Sequence, residues 1–272
     1  MNGEVAQFTA LVCHANAVLR GMPVPPFADF NVTTRFCESI EFLAWWKPLI
    51  GKAHLKVIAA NPDEWLGMLP DQSATAVRLI REDDEAAADV SDWALAGFSG
   101  GAGLWLMEVL KEGGTSEFWA ARREVLSEEE RQQGGNTWKV SYGLVKQAET
   151  KPSPLRDMAT VNEEFRMVLE TIHDFAAREE RGNFTRIFAD ALEVLDHPSP
   201  EAETGLTPRG CFPEPEAMLQ AAMASWVFGG MGSWNDLGFD GAAREEYEKV
   251  SADLYGILNE VIAVAASGTA GK

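Results

Sequence analysis

The 272-residue chain has little of what catalysis and metal binding most often use. It has four His, at positions 14, 54, 173 and 197, and no two of them stand at metal-ligand spacing. Its three Cys, Cys13, Cys37 and Cys211, form neither a CxxC pair nor a disulfide framework, which predicts free thiols and a reducing, cytoplasmic setting. There is no GxSxG and no Cys in a recognisable nucleophile context. No metal and no cofactor is expected, and the enzyme class stays open without a catalytic motif. No stretch reaches about 18 consecutive apolar residues, so no membrane span and no membrane partner is expected. The first basic residue is Arg20, and the apolar run Phe8–Leu19 is broken by His14 and Asn16. That start predicts an amphipathic helix rather than a signal peptide.

Basic residues are scarce as well. Against 42 Asp and Glu stand 23 Lys and Arg, a net charge of −19 with a pI near 4.6. Such an excess repels phosphate, which argues against a nucleic-acid partner. It suits association with a basic protein. The charge is spread out, −8 over residues 1–150 and −11 over residues 151–272, with no acidic tail.

Apolar residues and tryptophan are plentiful. Hydrophobic residues make up 46%, enough for a packed core. Nine Trp is a high number, and each must anchor either a core or an interface.

Residues 3–20 read as a helix ended by Gly21, with Pro23, Pro25 and Pro26 beyond it. Val32–Ile50 reads as a second helix, capped by Thr33 or Thr34 and burying Phe36, Ile40, Leu43 and Trp45 or Trp46. From His54 the period changes. HLKVIAAN predicts a strand, DEWLGMLP a short turn or helix, and Thr75–Ile80 another strand, followed by the acidic run Glu82–Glu85 as a solvated loop. Trp93–Phe98 and Gly103–Leu110 flank a Gly-rich turn, and Glu117–Val125 follows the Gly113–Gly114 turn. Helix is the competing reading for Gly103–Leu110 and Phe118–Leu126, because Leu, Met, Glu, Ala and Arg favour it. In Thr137–Gln147, Trp138, Val140, Tyr142 and Leu144 alternate with Lys139, Ser141 and Gly143, the clearest period-two strand.

Two Pro in Thr150–Leu155 mark a boundary. Helical stripes follow in Met158–Arg181 (stopped by Gly182), Asn183–Leu195, Glu214–Phe228 and Gly241–Ala266; His197–Pro215, with five Pro, joins the middle pair. The expected fold is α+β: N-terminal helices packed on an antiparallel β-meander (residues 1–150), then an all-helical part of about four helices (residues 155–272). The two parts could also form one continuous fold.

Ser225–Gly241, SWVFGGMGSWNDLGFDG, holds two Trp, two Phe, five Gly and two Asp between two helical patterns. It follows a helix and lacks a Lys, so it is no phosphate loop. One reading makes it a glycine-permitted corner pinned by Trp226, Phe228, Trp234 and Phe239. The other makes Trp234, Asn235 and Asp236, with Tyr142, the residues that meet a partner or ligand. Phe98–Gly103 lacks the GK[ST] of a P-loop and reads as a tight turn. Glu170-x-x-His173 is half of a di-iron pattern, but no second ExxH exists to complete it.

Composition, acidic and Trp-rich without a catalytic signature, is of a kind found in small bacterial accessory proteins. Three functions fit. The first is a protein-binding module, such as an immunity or antitoxin-like protein that neutralises a basic partner. The second is a small-molecule binder or enzyme with a pocket between the two halves. The third is a structural homo-oligomeric protein, a homo-dimer included.

Overall fold

Helix α1 (Gly3–Leu19) is buried along almost its whole length. The Asn2 side chain accepts from the Val5 amide and caps its start. At its end the Gly21 amide bonds the Val18 carbonyl and the Met22 amide bonds that of Ala17, with Gly21 at φ +66°. Only glycine takes that left-handed position without strain, so the residue expected to stop the helix does stop it.

The chain is described by a computed structural model over residues 1–46, 54–82, 104–129, 132, 136–149, 154–199, 204–229 and 232–271. The expected strand Trp93–Phe98, the loop Phe98–Gly103, most of the acidic run at 82–85 and much of the Thr150–Leu155 boundary lie outside these residues.

The fold is mixed α/β. After the one-turn helix α2 (Phe27–Phe30) comes β1 (Cys37–Trp46), where a second long helix was expected. The helical spacing of Phe36, Ile40 and Leu43 is misleading. Ile40 and Phe42 are buried, while Val32, Phe36 and Trp45 are exposed, and Glu41 separates the two buried residues. This is period two, and the aromatic and β-branched content suits a strand.

Then follow β2 (His54–Ala59), α3 (Pro62–Asp71), β3 (Ala74–Glu82), β4 (Leu104–Lys111), β5 (Thr115–Val125) and β6 (Trp138–Glu149). Asn61 caps α3 by accepting from the Glu64 amide, and the Glu64 carboxylate returns a bond to the Ala60 amide. The strands form one sheet in the order β2-β1-β6-β5-β4-β3. Only β3 to β6 run as an antiparallel meander; β1 lies parallel to β6 and makes the sheet mixed. Gly113 and Gly114, at φ +85° and +81°, make the β4–β5 turn. Both strands open to a helical reading are strands, because cross-strand pairing along their whole length outweighs local helix preference.

One face of the sheet packs under α1 and α3. Phe42 stacks on Trp65 at 4.6 Å and on Tyr142 at 5.1 Å, and Phe8 of α1 meets Tyr142 edge-on. The C-terminal part holds α4 (Met158–Arg178), α5 (Gly182–Asp196), α6 (Pro213–Ala224) and α7 (Gly241–Gly268). Between α4 and α5 the left-handed position belongs to Glu180, at φ +56°, while Gly182 begins α5. By composition α7 is apolar and long enough to cross a membrane, yet 72% of its most apolar window is buried in the protein.

The outer edge of β3 is closed by side chains. The Asn16 carboxamide accepts from the Val77 amide and donates to the Val77 carbonyl, both at 2.8 Å, and donates again to the Thr269 hydroxyl. The Ser267 hydroxyl accepts from the Leu79 amide at 2.9 Å and donates to the Leu79 carbonyl at 3.3 Å. Residues of α1, the sheet and α7 accordingly belong to one continuous buried core.

Two stability changes follow. Asn16→Ala leaves both Val77 backbone groups buried and unpaired, a loss of about 2–4 kcal/mol in urea unfolding. Glu180→Gly relieves the left-handed strain and raises stability by about 1 kcal/mol, read as a higher melting temperature.

Candidate functional site

The stretch between α6 and α7 is built around Trp234. Its side chain is fully buried and is surrounded by Phe175 of α4, Phe184 and Phe188 of α5 and Tyr247 of α7, with ring centroids 5.1–6.2 Å away. The indole N–H donates to the Ser251 hydroxyl at 2.8 Å, and the Tyr247 hydroxyl donates to the Trp234 carbonyl at 2.6 Å. Every polar group of this plug has a partner, as a buried Trp and Tyr require.

Asn235 and Asp236 hold the loop backbone. The Asn235 amide oxygen accepts from the Gly229 amide and the Ser233 hydroxyl, both at 3.3 Å. The Asp236 carboxylate accepts from the Gly232 amide at 2.5 Å, where Gly232 sits at φ +82°. This is local Asx bonding of the kind that shapes corners.

Tyr142 is elsewhere, buried under α1. Its hydroxyl donates to the Gln7 side-chain oxygen at 2.8 Å, which also accepts from Arg123 at 3.0 Å. Burial pushes the phenol's pKa up, so it stays protonated. Trp234 and Tyr142, two of the four residues expected to meet a partner or ligand, are thus core side chains with separate sets of neighbours. A large aromatic is equally at home in a core or an interface, and composition alone does not say which. Asp236 is exposed and Asn235 half-buried, but both act on their own loop.

His14 and Cys13 are core side chains as well. His14 is buried edge-on to Phe27, with its Nδ1 2.7 Å from the Ala10 carbonyl oxygen. Burial, only partly opposed by that contact and by Asp63, lowers its pKa from 6.5 to about 4. Cys13 is buried and its pKa is pushed up by burial. His173 pairs with its neighbour Asp174 at 3.1 Å. Among the described residues no three His, Cys, Asp or Glu are placed to hold a metal ion.

Three concavities stand out among the described residues. One of about 200 Å³ borders Phe212 and Glu216, but the Glu216 carboxylate already staples the Thr204 amide and hydroxyl and the Thr207 hydroxyl. A shallow one of about 440 Å³ lies at one end of the sheet, over Trp119 and the Lys111–Glu117 pair.

The third, of about 280 Å³, runs between α4 and α7. The helices are antiparallel, since Met158 touches Gly268 at one end and Arg178 bonds Glu246 at the other. Val168, Val250 and Ile257 form the floor, and Met167, 57% exposed, forms a lip. Glu164 and Asp253 flank it. Arg156 ties Glu164 (2.6 Å) to Glu260 (2.7 Å), and its hydrogen bond to Glu164 holds that carboxyl below its ordinary pKa. Val168 and Val250 lie in two of the stretches read as helical stripes, Met158–Arg181 and Gly241–Ala266, but a groove between helices so distant in sequence has no local sequence signal.

The chain matches no known protein family, no curated protein and no solved structure.

Trp234→Ala removes the plug and costs about 3–5 kcal/mol, so thermal melting falls sharply or the fold is lost. Retained folding would contradict the core assignment. His14 gives a pH effect of definite sign. The unfolded chain protonates it below about 6.5 and the folded chain only below about 4. Its contribution is therefore full above pH 6.5 and falls by up to about 3 kcal/mol as pH drops to 4. Denaturant titrations at pH 7 and pH 5 should show a smaller pH-dependent loss for His14→Gln than for the native chain.

Proposed function

We propose that this chain is a protein-binding module, acting without catalysis, which takes a basic amphipathic helix of a partner protein into the groove between α4 and α7. The observation that carries this reading is the groove's build: an apolar floor of Val168, Val250 and Ile257 beside an exposed Met and between acidic flanks. A helix laid into an apolar groove is a recurrent mode of recognition, and methionine adapts to varied partners. The net charge of −19 would speed the encounter with a basic partner, and the apolar floor would then hold it. Neutralisation of a basic toxic enzyme in the cytoplasm, as by an immunity or antitoxin-like protein, is one role of this kind.

A pocket between the sheet and the helical part, the alternative from sequence, receives less support. α1, α7 and β3 meet there in packed core, and Asp236 bonds its own loop.

A synthetic amphipathic helix of Lys and Leu is the probe. Its affinity should fall steeply with added salt. Met167→Glu should weaken binding about tenfold, the equivalent of 1.4 kcal/mol, and Asp253→Lys should flatten the salt dependence. Binding untouched by both substitutions would place the basic helix elsewhere and remove the support for this reading.

A further inference from the structure

Two irregularities of strand pairing meet at one place in the sheet. Between β1 and β2, Phe42 pairs with Ala59 and Leu43 with Val57, which leaves Ile58 as an extra residue. Between β5 and β6, Phe118 pairs with Lys146 and Trp119 with Leu144, which leaves Val145 over. A bulge bends its strand and re-aims side chains, and bulges are frequent beside functional sites. Ile58 and Val145 both line the shallow concavity of about 440 Å³.

Its walls set a fixed polar group beside an open aromatic one. One oxygen of the Glu117 carboxylate accepts from the Lys111 ammonium at 2.6 Å and from the Gln147 carboxamide at 2.8 Å. The pair is mostly buried and balanced in charge. An ammonium has three donors and a carboxylate about four acceptor positions, of which these bonds use one and two. Trp119 forms the floor. It is 2% exposed, and among the described residues nothing accepts from its indole N–H. A buried donor of this kind needs a water or a ligand. Trp45 stands at the rim and is 64% exposed.

We propose that this concavity is a saccharide-binding site, with a pyranose ring laid on Trp45 and its hydroxyls on the Lys111–Glu117–Gln147 group and the Trp119 N–H. The face of an aromatic ring is negative and attracts the C–H face of a sugar. Sugar hydroxyls donate and accept, so they match a group that offers both. Side chains already tied to one another lose little freedom when a ligand arrives. Other ligand classes fit less well. Apolar ligands favour enclosed, mainly apolar pockets, and this one is shallow with Lys and Gln in its walls. An acid would compete with Glu117 for Lys111, and a cation would meet Lys111 and Lys146. The site is separate from the α4–α7 groove and does not depend on a basic partner.

Indole N–H signals in NMR spectra of the full chain test it. The probes are maltose, cellobiose and N,N′-diacetylchitobiose at up to about 50 mM, enough to fill a millimolar site. At least one should shift the Trp45 and Trp119 signals saturably, while mannitol, a polyol without a ring, should not. Trp45→Ala should weaken binding about tenfold and leave the melting temperature unchanged, because Trp45 is exposed. Gln147→Ala should weaken it about fivefold, and Met167→Glu, in the groove, should change nothing. If all three saccharides leave both signals unmoved, the proposal is overturned. A shift that mannitol reproduces, or unchanged affinity in Trp45→Ala, overturns it as well. Benzoate that moves these signals where the saccharides do not makes this a site for an acid and has the same consequence.

Discussion

The fold depends on how the edge of β3 is closed. Backbone amides and carbonyls cannot be left unpaired in a core, and a sheet that ends inside a protein needs partners for them. Asn16 from the first helix and Ser267 from the last provide these at Val77 and Leu79. A carboxamide presents one donor and one acceptor, as a peptide group does, and so stands in for a strand. The Asn16–Thr269 bond then joins the two helices to each other. Three parts of the chain far apart in sequence are fixed by a few polar groups, while the surrounding apolar packing supplies most of the stability.

Much of the architecture was legible where a local signal and the tertiary demand coincide. α1 with Gly21, the alternation in β6, the Gly113–Gly114 turn and the stripes of α4 and α7 are cases of this. β1 was misread because Phe36, Ile40 and Leu43 fall at helical spacing by coincidence. What settles it is pairing with β6, some hundred residues away, as in Ile40 with Val140. The end of α4 was misplaced for a related reason. Glycine is the usual left-handed residue, yet Glu180 takes the position and the nearby Gly182 starts the next helix.

The functional reading was less legible. Ser225–Gly241 stands out by composition, and of its two readings the corner is the one its contacts match: Trp234 is the plug, and Asn235 and Asp236 shape the bend. Tyr142 was singled out for its place on a clear strand, but a period-two pattern identifies the buried face and gives no reason for a ligand to reach it. The α4–α7 groove is made by two helices that meet only in the folded chain.

The Ser267–Leu79 bonds also bear on how the chain is made. Their partners are 188 residues apart. At typical synthesis rates about 10–40 s pass between the emergence of β3 and that of the residue that closes its edge. Until then the outer edge of β3 lacks its partner at Leu79 and is able to pair with neighbouring chains on the same message. The helix that carries Ser267 thus completes the β3 edge late, 188 residues after the strand it closes.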